Sequence, residues 1–198
     1  MTLFEAGTRN AMLWRVPGQR DASKGLNNRF VESIDIFPTI IGLTGVPTIP
    51  KCQNLDDPPT TQCLQGESFA AEFLPRSNSQ GTRRNESVSK ADWSVMIDTP
   101  KRYAFSQWPY QPWGNATELR EGYSVRSALG YRYTVYVPYN FSDCAGNWWG
   151  PRGDEELYDY NIDPWESVNR AHNASYASVL AELRDVIRRQ YTLPPSVD

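Results

Sequence analysis

GYSVRSALGYRYTVYV, residues 122–137, decides the fold. Two runs rich in tyrosine and valine alternate apolar with polar positions, and Leu129-Gly130 separates them. Period-two patterning on both sides of a glycine-containing join reads as an antiparallel hairpin with one apolar face. Upstream, RYAFSQW (102–108) and WSVMI (93–97) have the same character, and DTPK (98–101) between them reads as another turn. Four strands joined this closely predict an antiparallel meander.

Downstream the period changes from 2 to 3.6. Tyr176, Val179, Leu180, Leu183, Val186 and Ile187 recur at helical spacing, with Glu182, Arg184, Asp185, Arg188 and Arg189 on the opposite face. This predicts an amphipathic helix, capped by Asn173 or Ser175, lying across one face of the meander. Upstream the reading is less regular. Residues 11–16, AMLWRV, form a short apolar run stopped by Pro17-Gly18 and read as a buried strand, the last of a larger sheet. SIDIFPTIIGLTG (33–45) reads as a helix capped by Ser33 or Asp35 and ended by Gly45, with Phe37, Ile40, Ile41 and Thr44 facing a core. Residues 46–92 are expected to form a long excursion, mobile around 76–89, relieved by a short amphipathic helix in ESFAAEFL (67–74).

The formal net charge of −3 on 198 residues gives no bulk electrostatic reason to bind nucleic acid or an anionic membrane. There is no apolar run long enough to span a bilayer, and the first residues lack the apolar core of a signal peptide. Yet Asn85, Asn115, Asn140 and Asn173 each begin an N-x-[ST] acceptor, more than chance supplies. Cys52 and Cys63 bracket a proline-rich acidic loop and lack the further ligands of a metal site, so a structural disulfide is expected. Cys144 is left as a buried thiol or as the partner of a cysteine elsewhere. These features point to a secreted or lysosomal protein.

Three stretches carry a family resemblance. LFEAGTRNAMLWRVPG (3–18) is similar to the segment after the last active-site lysine of sulfatases, matched at Glu5, Gly7, Arg9, Leu13, Pro17 and Gly18, while Asn10 and Ala11 depart from the usual Val-Pro. VESIDIFPTIIGLTGVPTIPKC contains an S-x-D-x-x-P-T core of the kind found in a sulfatase helix. ELYDYNIDPWESVN resembles a motif near sulfatase C-termini, carried by Glu156, Leu157, Tyr158, Asp159, Asp163, Pro164, Glu166 and Asn169. Read without the family, that last stretch is a strand leading into an Asp-Pro corner, with Glu166 and Asn169 available for exposed backbone groups.

The resemblance implies an α/β fold of the sulfatase, alkaline-phosphatase-like type, of which this chain would be the C-terminal portion. Residues 1–92 would close the catalytic-type domain with its last strand and helix, and residues 93–198 would form a smaller α+β subdomain. It implies hydrolysis of sulfate esters of glycosaminoglycan-type sugars, with a formylglycine nucleophile and calcium held by aspartates. Neither is legible here. No cysteine is followed by x-P-x-R, no Asp-His-Gly occurs, and Asp56-Asp57 lies in the disulfide loop, so no catalytic residue and no metal ligand is assigned to this chain. On that reading the partner is a missing N-terminal catalytic half, and the chain alone is inactive.

Arg126, Arg132 and Trp108 are candidates for the rim of a substrate pocket, because guanidinium forks suit sulfate and aromatic faces suit sugar rings. The structural alternatives are a fold-stabilising arginine pair and an aromatic covering an interface. His172 has no nucleophile to serve and reads as a surface residue. A noncatalytic glycan-binding module and a fragment of a related phosphodiesterase are the competing functional readings.

Overall fold

Ala128–Gly130 turns the chain back on itself, with the Gly130 amide donating to the Ser127 carbonyl and Gly130 at φ 93°, a conformation that favours glycine. The computed structural model describes residues 2–17, 27–47, 49–52, 63–73, 100–110, 119–140, 142, 145–148 and 154–191. They divide into two compact units. One joins Met1–Ala11 to Arg102–Asp198, and the other is Met12–Lys101. The boundary expected between residues 92 and 93 lies outside the described residues, and the first eleven residues group with the C-terminal lobe.

In the first unit, β1 (Tyr103–Tyr110), β2 (Arg120–Ser127) and β3 (Tyr131–Asn140) are antiparallel neighbours. A two-residue β4 (Ala145–Gly146) extends the end of β3, and β5 (Glu155–Asp159) pairs along the rest of it. Three expected strands are therefore present. The fourth long strand comes from ELYD, whereas WSVMI and the first half of DTPK lie outside the described residues. Helix α3 (Ala177–Tyr191) packs Leu180, Leu183, Val186 and Ile187 onto Tyr123, Val125, Tyr133, Val135, Val137 and Leu157, as the two periodicities require. Asn173 accepts a hydrogen bond from the Ser175 amide at 3.0 Å and caps the 3-10 turn (Ala174–Tyr176) that leads into α3.

The opposite sheet face takes the N-terminal segment, which contains the single helical turn α1 (Glu5–Thr8). Leu3 lies over Gly122, where a Cβ would stand 2.7 Å from the Leu3 methyl and 2.8 Å from the Tyr136 ring. Phe4 meets Tyr158 edge-on. A side chain at 122 would push this segment off the sheet.

In the second unit, a 3-10 turn (Ser33–Asp35) runs into α2 (Ile36–Thr44), ended by Gly45 in the left-handed region at φ 70°. The expected helix is present, but its buried side is not the expected one. Asp35, Pro38 and Thr39 are buried, whereas Phe37 is 53% and Ile40 46% exposed. Asp35 orients the helix by accepting hydrogen bonds from the Glu32 amide, the Glu67 amide and Lys101 Nζ, each at 2.8 Å. Thr39 Oγ1 donates to the Asp35 carbonyl and accepts from the Phe69 amide. A buried carboxylate must be satisfied, and its partners all lie on the polar side.

Residues 11–16 form neither a strand nor a buried segment, and Leu13 is 98% exposed. A strand needs a neighbour to take its backbone groups, and none pairs with it among the described residues. Of the helix expected over 67–74, the described residues 67–73 supply a single 3-10 turn, Ala70–Phe73. Cys52 and Cys63 are disulfide-bonded, with Cα atoms 4.8 Å apart, as expected, and Lys51 and Leu64 form a parallel bridge beside them.

Candidate functional site

The densest polar arrangement among the described residues joins α1 to the ELYD corner. Antiparallel pairing of β2 with β3 places Arg126 directly opposite Arg132, on the face that receives the N-terminal segment. Two guanidiniums in one register pair are unfavourable unless acids intervene. Glu5 provides one, with its Oε2 2.5 Å from Arg132 Nη2 and 3.6 Å from Arg126 Nε. Glu166 provides the other, 2.9 Å from Arg132 Nε.

Arg132 is 2% exposed, and its remaining donors reach the Leu3 carbonyl at 3.0 Å, Ser124 Oγ at 3.3 Å and Tyr160 Oη at 2.8 Å. Arg126 lies over the Tyr160 ring, 3.7 Å from its centroid, and donates to the Ser127 carbonyl at 2.7 Å. Burial holds the Arg126 guanidinium below its ordinary pKa, against the pull of Tyr160 and Glu5.

The corner itself is built from the motif residues. Asp163 accepts from the Ser167 and Val168 amides, and those hydrogen bonds hold its carboxyl below the usual range. This turn places Glu166 at φ 56°, a left-handed conformation uncommon outside glycine. From there Glu166 Oε2 accepts from the Glu5 amide at 2.8 Å, and its Oε1 accepts from the Tyr160 hydroxyl. Glu166 thus satisfies an N-terminal donor of α1 across the whole length of the chain.

Asn169 covers the free edge of β5. It accepts from the Leu157 and Ala171 amides and donates to the Glu155 carbonyl, and Arg170 N–H donates to the Leu157 carbonyl. Asp159 accepts from the Asn161 amide and the Tyr176 hydroxyl, tying the strand to the turn before α3. The expectation that Glu166 and Asn169 satisfy backbone groups holds.

Of the three rim candidates, Arg132 is enclosed and its donors are committed within the unit, so it presents no fork at a surface. Arg126 is stacked beside it and bonded inward. The fold-stabilising alternative describes both. Trp108 shares their sheet face but lies opposite Gly122, four register positions from the arginine pair, and is 37% exposed. The structure does not bring the three together.

Asn140, at the exposed end of β3, and the exposed Asn173 both accept from the amide two residues on, at 2.9 Å and 3.0 Å. Asn85, Asn115, Cys144 and Asp56-Asp57 lie outside the described residues. His172 is exposed. Among the described residues no group of three or more His, Cys, Asp or Glu is placed to hold a metal ion. No described helix is long and apolar enough to cross a membrane.

Sequence reading missed Tyr160, which joins both arginines to Glu166, and the buried Lys101 ion pairs with Glu32 and Asp35. Tyr160 occupies a free position of the motif, where no pattern marks it. Lys101 is 66 residues from Asp35, and nothing local signals the pairing.

No family model matches the chain. It is 26% identical over 164 residues to iduronate 2-sulfatase of Mus musculus, an alignment covering 78% of this chain and 27% of that protein. Against iduronate 2-sulfatase of Homo sapiens it is 27% identical over 162 residues, covering 77% of this chain and 27% of that protein. The chain therefore spans about 27% of the length of the curated relatives it matches. A solved structure of a protein in complex with its substrate D-glucosamine-2-N,6-O-disulfate superposes with a TM-score of 0.39 at 21% identity, covering 79% of this chain and 24% of that one, too loosely to carry an argument. The chain resembles the sulfatases, and iduronate 2-sulfatase among them.

Proposed function

We propose that this chain is the C-terminal, sulfatase-like part of an enzyme that hydrolyses sulfate esters of glycosaminoglycan-type sugars, as iduronate 2-sulfatase does of iduronate 2-sulfate. The observation that carries the reading is the likeness to that protein over three quarters of the chain, supported by the ELYD corner, whose motif residues each have a structural partner.

The chain's own contribution is scaffolding. Arg132 and Glu166 seat the N-terminal segment against the sheet, and this segment matches the one that follows the last active-site lysine in the family. The nucleophile and the calcium of the family are proposed to belong to the rest of the enzyme, since the described residues supply no cluster fit for a cation. A catalytic half of the alkaline-phosphatase-like type would be the partner. The exposed Phe37 and Ile40, one turn apart on α2, are suited to packing on it. The disulfide and the two exposed acceptor asparagines support a lysosomal or secreted location.

The test is hydrolysis of a fluorogenic sulfated iduronide and of an aryl sulfate, with and without calcium, by the 198-residue chain and by the same chain extended with its upstream coding sequence. The expected result is turnover by the extended protein alone. Turnover that follows the short chain through purification would overturn the scaffolding role. An upstream sequence without a sulfatase-type nucleophile, together with heparin-oligosaccharide binding by the short chain, would establish the glycan-binding module instead.

A further inference from the structure

Three guanidiniums converge on one carboxylate in the first unit. The Glu5 Oε2 atom lies 2.5 Å from Arg132 Nη2 and 3.6 Å from Arg126 Nε, and Oε1 lies 3.7 Å from Arg9 Nη1. The segment also has a seat that does not depend on this carboxylate. The Glu5 amide donates to Glu166 Oε2 at 2.8 Å, the Leu3 carbonyl accepts from Arg132 Nη1 at 3.0 Å, Leu3 lies over Gly122, and Phe4 meets Tyr158 edge-on. None of these contacts uses the Glu5 side chain. Glu166 is already engaged, one oxygen by the Glu5 amide and the other by Tyr160 and Arg132 Nε. What the Glu5 carboxylate adds is an anion between the arginines.

We propose that Arg126 and Arg132, with Arg9 at the mouth, form an oxyanion-binding site that the chain occupies in cis: the seat takes a small sulfate or carboxylate, and Glu5 is its tethered ligand. Guanidinium forks match the spaced oxygens of both anions. Arg132 is 2% exposed and hydrogen-bonded to the Leu3 carbonyl, Ser124 and Tyr160, so it is in position before an anion arrives and little freedom is lost in ordering it.

The way in is on the Oε1 side, where the Arg9 side chain is 68% and the Glu5 side chain 25% exposed. An outside anion enters when the Glu5 side chain turns out to solvent. The tether gives Glu5 a high effective concentration at the seat, so it outcompetes a dilute anion in the resting chain. This inference stands on the geometry of the first unit and does not depend on the sulfatase reading.

The test uses the full chain and its Glu5→Ala variant, which keeps the backbone contacts of the segment and empties the seat. Sodium sulfate and sodium acetate are titrated separately, at ionic strength held constant with sodium chloride, while the Arg132 Nε–H NMR signal and the thermal midpoint are followed. Acetate restores the lost carboxylate, and sulfate asks whether the seat takes a tetrahedral dianion. Glu5→Ala should show saturable binding at least about tenfold tighter than wild type, because wild type must first give up a charge-assisted hydrogen bond. Adding Arg9→Ala should weaken that binding about two- to fivefold, the worth of an exposed ion pair. Sulfate stabilises folded proteins generally, so the wild-type midpoint shift at each concentration is the baseline. Equal midpoint shifts in wild type and Glu5→Ala, with no saturable change at Arg132, overturn the proposal. If Glu5→Ala is unfolded in chloride, one of the two anions should refold it, and a variant that stays unfolded in both also overturns the proposal.

Discussion

Arg126 and Arg132 face each other across β2 and β3 in one register pair, and Glu5 from the other end of the unit bonds to Arg132 at 2.5 Å and lies 3.6 Å from Arg126. The juxtaposition is tolerable only because the N-terminal segment is in place. Removing the segment would leave two cations opposite each other on a sheet face, with Glu166 as the remaining counter-charge. The segment and the sheet are therefore energetically coupled.

Arg132→Met is expected to destabilise the first unit by about 3–5 kcal/mol, because Glu5 and Glu166 lose the cation between them while remaining partly or wholly buried. Arg132→Lys should recover part of this, since an ammonium supplies the charge but cannot reach the Leu3 carbonyl, Ser124 and both acids together. Urea denaturation followed by tryptophan fluorescence measures both. Equal loss from the two variants would show that the charge contributes nothing.

Asn169 makes three hydrogen bonds to backbone groups on and beside β5, so Asn169→Ala should cost about 1–3 kcal/mol through the unsatisfied Leu157 amide and Glu155 carbonyl. Asn169→Asp keeps the acceptor for Leu157 and Ala171 and loses only the donor, and is expected to fall between wild type and alanine. The ordering of the three unfolding midpoints is the check.

What the sequence made legible divides along physical lines. Strands β1 to β3 and helix α3 were readable because local periodicity and tertiary burial agree there: the same residues that alternate at two or at 3.6 are the ones that pack. Helix α2 was readable as a helix but not as to its buried side. Its apolar face is the obvious core by pattern, yet Asp35 and Thr39 make the inward contacts, and hydrogen bonding from residues 30 or more positions away decides the orientation. Residues 11–16 were misread because an apolar run says nothing about whether a partner strand is at hand. At the corner, the motif assigns Glu166 and Asn169 to backbone groups, but two arginines on adjoining strands suit a ligand or a structural pair equally, because Glu5, the acid between them, is 127 positions from Arg132.

Cys52 and Cys63 close a loop whose ends are also joined by backbone hydrogen bonds between residues 50, 52 and 64, at 2.9 and 3.0 Å. Replacing both cysteines by alanine is expected to cost about 2–3 kcal/mol in the chain-entropy account. The backbone bridge opposes part of the loosening in the folded state but not the entropy gained by the unfolded chain. The thermal midpoint of the second unit, with and without reductant, measures the effect, and a double variant as stable as wild type would place the loop's order in the bridge instead.

Asn173 serves two purposes that a pair of substitutions separates. Its Oδ1 caps the turn leading into α3, and Asn173-Ala174-Ser175 is a glycan acceptor. Asn173→Ala removes both and should destabilise the unit by about 1 kcal/mol even in protein made without glycans. Asn173→Ser removes the acceptor but keeps a side-chain oxygen able to cap, and should unfold close to wild type in unglycosylated protein. Made through a eukaryotic secretory route, both variants should lose the same glycan mass relative to wild type, because the side-chain amide that would carry the sugar is exposed. The cap uses the oxygen of that side chain and leaves its nitrogen to solvent, so capping and modification are compatible in the folded protein. If wild type and Asn173→Ser differ in intact mass after secretion only by the residue exchanged, the asparagine acts as a cap alone.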